Sequence, residues 1–540
     1  MTARAAVALT MLLAAASASV SAQRTFEQPQ DPCDVSTGHF LVNGAMMHLK
    51  VAAETENAQT REDRLGEAHD VLVRAIEENN QADNPGAWYY LGRYYVERGD
   101  PFGADSAFGK VVALLPQCEE EATHYLAELQ PGVRTAALEA WQAGAIDSAA
   151  TLFRLASSLS PQDPEAPFYL ARMYADNGEF DSAATYVDIG LERAGDDPAH
   201  DQRKRQALGD LIRAHEAAAF ESPAIETLLQ TRLRRDSLDR ALAGDEQRLA
   251  DLIAEWSGKN LRPETQAAVQ RDSAMLAQRI AAGRQLETEL ASTIARDSTA
   301  ASDAFDGAIN AYARYLEEYP DDSEITLRLL RRYSLLGRAD GMDRMIDKLA
   351  TADSLDLNEI TQAGSAVFGD GHAEHAIELL DLAVARNPYM QATLSTLARS
   401  YYRLEDADGL RKTVAQLIEI DPLNPQTMRL MAAAWDLAGN PDSVTKYVAL
   451  ADTGLGLGVT VTQFIPSPVT STVNGSILNM SSGPSQPAVI DFEFLDAEGA
   501  VLGTATVEVP TLEPKRRHAF TVEADVPRAA AWRYRLAGAT

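Results

Sequence analysis

The chain has 540 residues, of which 46% are hydrophobic, and its formal net charge at pH 7 is −31. This length exceeds what one ordinary hydrophobic core organises, so we expect several domains or a repeat array. So acidic a chain lacks the basic footprint that general nucleic-acid binding requires, and it is disfavoured at anionic membrane surfaces. The composition therefore excludes a general nucleic-acid binder and fits a protein with a solvated, acidic exterior.

Residues 1–22 have the pattern of a secretory signal peptide. Arg4 provides a basic start, an apolar run extends from Ala5 to Ala16, and small residues follow up to Ala22. The alternative is an N-terminal membrane anchor, but the apolar run is shorter than the roughly 20 residues that span a bilayer. No later segment has an uninterrupted apolar run of spanning length. We therefore expect an exported protein, periplasmic or extracellular, with no membrane insertion.

The N-terminal segment, residues 23–49, contains Cys33, and the chain has one other cysteine, Cys118. In an oxidising compartment the two are candidates for a disulfide that fastens this segment to the helices. The alternative is two free, partly buried thiols, because spacing alone does not show that two cysteines are close.

A 34-residue period runs through residues 50–199 and returns in residues 303–453. The landmarks of one repeat are Trp88, Leu91, Gly92, Tyr95, Gly99, Ala104, Phe108 and Pro116. Gly144 and Gly178 lie 34 residues apart. Large and small apolar residues alternate at helical spacing, so that one helix of a pair nests against the other. Glycines and prolines mark the ends of these helices.

This pattern resembles the tetratricopeptide repeat, whose motif is W-x2-L-G-x2-Y followed by Gly, Ala, Phe, Ala and Pro at fixed offsets. About eight copies share the period, and the match is nearly complete at residues 85–118. The resemblance implies a mainly α fold, in which helix pairs stack into an α-solenoid with a concave side. It also implies binding of protein partners.

Residues 200–302 interrupt the period. Apolar residues step by four and three from Leu238 to Trp256, and a second run extends from Val269 to Ile294. We interpret these runs as an antiparallel, coiled-coil-like helical hairpin that protrudes from the solenoid and is a candidate surface for self-association. The alternative is two long helices packed flat on neighbouring repeats. The tripeptide Arg-Asp-Ser, which we interpret as solvated helix surface, recurs at 235–237, 271–273 and 296–298.

Residues 459–540 contain short runs of alternating polarity, which predict strands. The runs are 459–465, 473–480, 488–495, 500–509, 517–522 and 531–536. The segments VNGSILNMSS (473–482), FEFLDAEG (492–499) and LEPKRRHAF (512–520) resemble the FxLYD-type immunoglobulin-like domain of exported bacterial proteins. The resemblance implies a small C-terminal β-sandwich that serves as a non-catalytic adhesion or docking module. Within it, Asp496 and Gly499 are expected to form a hairpin turn.

The sequence contains no convincing set of catalytic or metal-binding residues. It has no G-x-S-x-G turn, and its nine histidines are scattered apart from His372 and His375. Two ligands at i and i+3 do not make a metal site without a third. We therefore expect no enzyme activity, no metal and no cofactor.

Candidate binding residues lie on the first helix of each repeat, which lines the concave groove in arrays of this kind. The residue two positions after the Leu landmark points away from the packing stripe. It is arginine in four copies, Arg93, Arg172, Arg331 and Arg399. The aromatic residues predicted on or near the same surface are Tyr89, Trp141, Phe168 and Tyr402. Because arginine binds carboxylates in bidentate fashion, we expect a protein or peptide with an acidic or C-terminal carboxylate group.

The alternative is that these arginines bridge Asp and Glu of adjacent repeats. Two functional hypotheses follow. The first is an exported, non-catalytic scaffold that binds partners in its concave groove, in envelope assembly or secretion. The second is a structural or adhesion component that makes its contacts through the hairpin and the β-sandwich.

Overall fold

The computed structural model describes residues 26–256, 259, 262–352 and 355–537. The predicted signal peptide lies outside these residues. Two compact units make up the chain, residues 1–218 and residues 219–540. The mainly α fold with a small C-terminal β region is confirmed.

The first unit consists mostly of helix pairs joined by short turns. Its helices are α1 (Phe40–Glu54), α2 (Ala58–Glu78), α3 (Pro85–Arg98), α4 (Pro101–Leu114), α5 (Glu119–Ala127), α6 (Gln130–Gln142), α7 (Ile146–Leu159), α8 (Glu165–Asp176) and α9 (Phe180–Ala194), and α10 (Asp201–Phe220) leads into the second unit. The turns within pairs are tight because Gly99, Gly144 and Gly178 take the left-handed conformation, with φ of 64°, 75° and 77°.

The pair α3–α4 shows how the sequence specifies a repeat. The Asn84 side chain accepts a hydrogen bond from the Gly86 backbone N–H at 2.9 Å, and Pro85 occupies the first turn of α3. Inside the pair, a Cβ atom at Gly92 would lie 2.9 Å from the ring of Phe108. The landmark glycine is therefore required by the close approach of the two helices.

The second unit contains two long helices, four helix pairs and the β region. Its helices are α11 (Pro223–Trp256), α12 (Pro263–Glu318), α13 (Ser323–Leu336), α14 (Ala339–Ala350), α15 (Leu357–Asp370), α16 (Ala373–Arg386), α17 (Gln391–Arg403), α18 (Ala407–Ile420), α19 (Pro425–Leu437) and α20 (Pro441–Ala449). Within each pair from α13–α14 to α19–α20, the two helices pack against each other.

The helices α11 and α12 run antiparallel. A Cβ at Gly283 would lie 2.4 Å from the Leu242 side chain, and Asp245 pairs with Arg279 at 2.8 Å. The 56-residue helix α12 continues through residue 302, where the insertion was predicted to end. No proline interrupts residues 264–319, so one helix serves both the insertion and the repeat that follows it.

The β region begins at residue 457. Its strands are β1 (Leu457–Pro466), β2 (Ser471–Asn479), β3 (Ala488–Leu495), β4 (Val501–Val509), β5 (Arg517–Ala524) and β6 (Ala531–Leu536). They form two antiparallel three-stranded sheets with the orders β1-β2-β5 and β4-β3-β6. Each predicted run overlaps one strand, and the Asp496 N–H donates to the Ala500 carbonyl at 3.0 Å across the expected turn. The immunoglobulin-like assignment remains a prediction.

Candidate functional site

Arg93 lies in a groove of the first unit that the chain itself covers. Gly86, Tyr89 and Arg93 occupy positions i, i+3 and i+7 of α3 and form one stripe. The Arg93 guanidinium lies between two aromatic rings, 4.4 Å from the centroid of Phe26 and 4.7 Å from that of Tyr125. Its Nη1 donates a hydrogen bond to the backbone carbonyl of Glu27. We call residues 26–37 the N-terminal strap.

The N-terminal strap runs along α3 in the opposite direction to the helix. The Asn84 amide donates to the Thr37 carbonyl at 2.9 Å, next to the start of α3. One step further, a Cβ at Gly86 would lie 2.4 Å from the Ser36 carbonyl oxygen. A disulfide joins Cys33 to Cys118, whose Cα atoms are 4.5 Å apart. The strap therefore approaches the backbone of α3 at one end and covers Arg93 at the other.

Tyr89 and Phe168 do not line an open surface, so this part of the site prediction is wrong. Tyr89 is fully buried, and its hydroxyl donates to Glu121 Oε1 at 2.6 Å. Burial and this hydrogen bond raise the pKa of the Tyr89 phenol well above its usual range. Phe168 is 3% exposed and packs against Gly190. The first helix of a repeat contacts both its own partner and the next repeat, which buries a wider stripe than the sequence pattern indicates.

In the first unit, the Arg172 guanidinium lies over the Trp141 ring. The Arg172 guanidinium carbon lies 5.6 Å from the centroid of the half-buried Trp141 ring. The Nε atom of Arg172 is 3.9 Å from a carboxylate oxygen of Asp176 and 3.9 Å from one of Asp210. This arrangement agrees with the alternative in which the arginines bridge neighbouring acidic residues.

In the second unit, α11 packs on the carboxyl-terminal ends of the first helices of the repeats. Arg232 donates from Nη2 to the Leu335 carbonyl at 2.7 Å, at the end of α13, and pairs with Asp370 at the end of α15. Arg235 donates to the Gly369 carbonyl. Helix ends leave carbonyls without intrahelical partners and carry partial negative charge, so buried arginines are well placed there.

The part of α11 around Arg232 and Arg235 therefore packs flat on neighbouring repeats, as in the alternative for the insertion. Arg235 is buried, so the interpretation of its Arg-Asp-Ser tripeptide as solvated helix surface is wrong at this position. The exposed fraction of Arg235 is 8%, and that of Arg232 is 7%. The sequence pattern that indicates this contact lies upstream of Leu238, where the predicted apolar run began. Buried positions at Ile225, Leu228 and Arg232 continue the spacing of three and four, with arginine at a seam position.

Of the predicted second-unit residues, Arg399 and Tyr402 are exposed and Arg331 is half-buried. The guanidinium of Arg399 lies 4.9 Å from the centroid of the Phe368 ring. Arg331 Nε is buried and has no hydrogen-bond partner among the residues that the structure describes. Half of the Tyr402 side chain is exposed. Arg399 and Tyr402 therefore remain candidates for partner contacts.

A cavity of about 770 Å³ opens between the amino-terminal ends of α15 and α17 and the β region. Its walls include Asn358, Gln362, Tyr389, Met390, Phe464 and Trp532. The consecutive residues 461–464 line it, so β1 turns its edge toward the cavity, and within its sheet β1 pairs only with β2. Ligand sites commonly have this size and this mixture of apolar walls and few polar groups. The sequence did not indicate this cavity, because its walls come from distant parts of the chain.

A buried carboxylate links the β region to the repeats. Asp421, at the end of α18, accepts hydrogen bonds from the Tyr534 hydroxyl at Oδ1 and from Asn424 Nδ2 at 2.7 Å. The Tyr534 oxygen also accepts from the Leu423 N–H at 3.1 Å. Burial raises the pKa of Asp421 to about 6, while the two side-chain hydrogen bonds act in the opposite direction.

The other polar clusters have structural partners. His372 Nε2 lies 3.1 Å from the Ser334 carbonyl oxygen, and His375 Nε2 lies 3.0 Å from Asp343 Oδ1. Across the described ranges, no group of three or more His, Cys, Asp or Glu side chains is arranged to hold a metal ion. Within the same ranges, no helix combines the length and apolarity needed to cross a membrane.

Comparison with known proteins identifies the repeats. Residues 140–207 match the profile of the tetratricopeptide repeat. No curated protein sequence matches the chain. Among solved structures, one of the MamA protein is 26% identical, with 29% of this chain and 85% of that chain covered and a TM-score of 0.22. The APC/C hetero-tetramer Cut9–Hcn1 is 13% identical, with 76% and 96% covered and a TM-score of 0.24. Yeast Tom70 is 13% identical, with 70% and 88% covered and a TM-score of 0.19.

Proposed function

We propose that the protein is a non-catalytic interaction scaffold that captures an extended segment of a protein partner in the second-unit cavity. The observation that carries this proposal is the contrast between occupied and open surfaces. The N-terminal strap covers Arg93, and α11 covers the carboxyl-terminal ends of α13 and α15. The cavity beside β1 retains about 770 Å³ between aromatic and amide-bearing side chains.

The chemistry of the partner follows from what surrounds the cavity. Tyr389, Met390 and Phe464 favour an apolar or aromatic side chain. Ala392 also lines the cavity, and Arg399 lies seven residues further along the same face of α17, which corresponds to about 10 Å. An extended chain covers that distance in about three residues. The preferred segment therefore has a carboxylate about three residues away from an apolar anchor.

Selection of peptides on the purified full-length chain tests the proposal. A random peptide library is panned, and the selected peptides are measured by fluorescence anisotropy against wild type, Ala392→Trp and Arg399→Ala. Filling the cavity with Trp should abolish binding. Arg399→Ala should weaken the binding of carboxylate-containing peptides about 10- to 150-fold, which corresponds to the loss of one charge-assisted hydrogen bond. Arg172→Ala is the control and should bind normally. If the peptides bind wild type and Ala392→Trp with equal affinity, the cavity is not the binding site.

An exported location belongs to the same proposal, with a role in envelope assembly or secretion. It is supported by the signal-like pattern of residues 1–22 and by the Cys33–Cys118 disulfide, since disulfides persist mainly in oxidising compartments. Fractionation of cells that produce the full chain provides the test. A chain retained in the cytosol with its first 22 residues intact would contradict export.

A structural or adhesion role through the insertion is the second candidate. Ile253 of α11 and Met275 of α12 are each 55% exposed, although both belong to helices with apolar seams. Such side chains are available for self-association or for another partner. Sedimentation of wild type and Ile253→Glu distinguishes the two. Identical, concentration-independent sedimentation of both proteins would argue against self-association through this region.

A further inference from the structure

The N-terminal strap is attached unevenly. Cys33 and Val35 are buried, whereas most of the preceding residues are exposed. Upstream of Cys33, Phe26 is partly buried against the core of the first unit and lies against the Arg93 guanidinium. The Glu27 backbone carbonyl accepts from Arg93, and the Gln30 N–H makes a long hydrogen bond, 3.4 Å, to Glu121. One end of the strap is therefore fixed covalently, and the other end is held by a few noncovalent contacts.

The surface under that loose end has the features of a recognition site. The Arg93 guanidinium makes cation–π contacts with two rings, those of Tyr125 and Phe26. Its Nη1 donates to the backbone carbonyl of Glu27. A cavity of about 440 Å³ lies beside Arg93, lined in part by Val96, His124 and Tyr125. The groove thus combines a planar cation, an aromatic platform and open space.

We infer that this groove is a second segment-binding site, and that the N-terminal strap is its tethered, displaceable occupant. The ligand is an extended segment of another protein with the chemistry that the strap shows, an aromatic residue followed by a residue with an available backbone carbonyl oxygen. This site lies in the first unit and does not depend on the proposed function of the second-unit cavity.

The tether determines how well a free segment competes. Phe26 lies seven residues from Cys33, so the disulfide holds it near Arg93 at an effective concentration in the millimolar range. A free segment of equal intrinsic affinity therefore competes poorly with the fastened strap. Removing the disulfide, or weakening the contact of Phe26, should open the groove to segments supplied in solution.

A labelled peptide with the sequence of residues 26–37, with Ala in place of Cys33, is the probe. Its binding is measured by fluorescence anisotropy with the full-length protein as wild type and as the double variant Cys33→Ala, Cys118→Ala. Because the strap remains joined to α1 at Phe40, its tether only doubles, from seven to 14 residues, so the double variant should bind the peptide about threefold more tightly than wild type. Adding Arg93→Ala should reverse this gain, while Arg172→Ala in the same background should not. Circular dichroism establishes that each variant is folded.

Phe26→Ala, with the disulfide intact, provides a second route in case the double variant does not fold. It should also bind the peptide more tightly than wild type does. Equal peptide affinity for wild type and a folded open variant would overturn the inference, as would binding that survives Arg93→Ala. Absence of binding to every folded variant at millimolar peptide would show that the strap is a permanent structural element.

Discussion

Asp421 should make the second unit more stable in mild acid than at neutral pH. Its carboxyl group is fully buried between α18 and β6, and its pKa is raised to about 6 from the usual 3.8. Between pH 4 and 6 the folded protein therefore retains a proton that the unfolded chain has released. Stability falls as pH rises through this window and is constant above it. At 1.36 kcal/mol per pKa unit, the loss amounts to about 3 kcal/mol.

The Asp421→Asn variant isolates this contribution, because the amide has a similar size and does not titrate. Urea unfolding of wild type and variant is measured at pH 4.5 and pH 8. The stability of the variant relative to wild type should rise by about 2 kcal/mol on going from pH 4.5 to pH 8. Asp408→Asn, at a carboxylate that is 85% exposed, controls for loss of a negative charge.

Two results would refute this reasoning. The first is a difference between wild type and Asp421→Asn that stays constant with pH. The second is a change of the opposite sign, in which the variant becomes less stable relative to wild type as pH rises. The Tyr534→Phe variant adds an internal check. It removes a hydrogen bond that lowers the pKa of folded Asp421, so the pH window in which stability falls should extend to higher pH.

Three further predictions concern packing, charge and the disulfide. Gly190→Ala should destabilise the first unit by about 1–3 kcal/mol in urea titrations, because the new methyl would lie 2.4 Å from the Phe168 ring. Arg232→Ala should cost about 3–5 kcal/mol, since it leaves Asp370 without its buried partner. Cys33→Ala should lower the free energy of unfolding by about 4–5 kcal/mol, as expected for opening a loop with a sequence separation of 85.

Each of these predictions has a matched control. Gly109→Ala meets no atom within 4 Å and should stabilise its helix by up to about 1 kcal/mol. Arg248→Ala removes an arginine that is 70% exposed and should change stability by less than about 1 kcal/mol. Wild type treated with dithiothreitol should reproduce the unfolding midpoint of Cys33→Ala. For Gly190→Ala and Arg232→Ala, a loss no larger than that of the control would contradict the mechanism. For the disulfide, a difference between reduced wild type and Cys33→Ala would do so.

The sequence by itself determined the repeat architecture and the position of the strands. Helical spacing, capping residues such as Asn84 and turn glycines such as Gly99 act over a few residues, so their effect can be read locally. The period of two in residues 531–536 is equally local and corresponds to β6. Arg93, Arg172 and Arg399 are not buried, and their role in partner binding stays a prediction.

Only the tertiary structure decided which of these residues face an open surface. Tyr89 is buried because the next repeat covers it, and Arg93 is covered by a strap that is distant in sequence. The docking of α11 joins Arg232 to Leu335, 103 residues away, and the cavity beside β1 joins segments that range from residue 356 to residue 532. Local periodicity cannot report such contacts, because it records which face of a helix is apolar but not which distant segment packs on it.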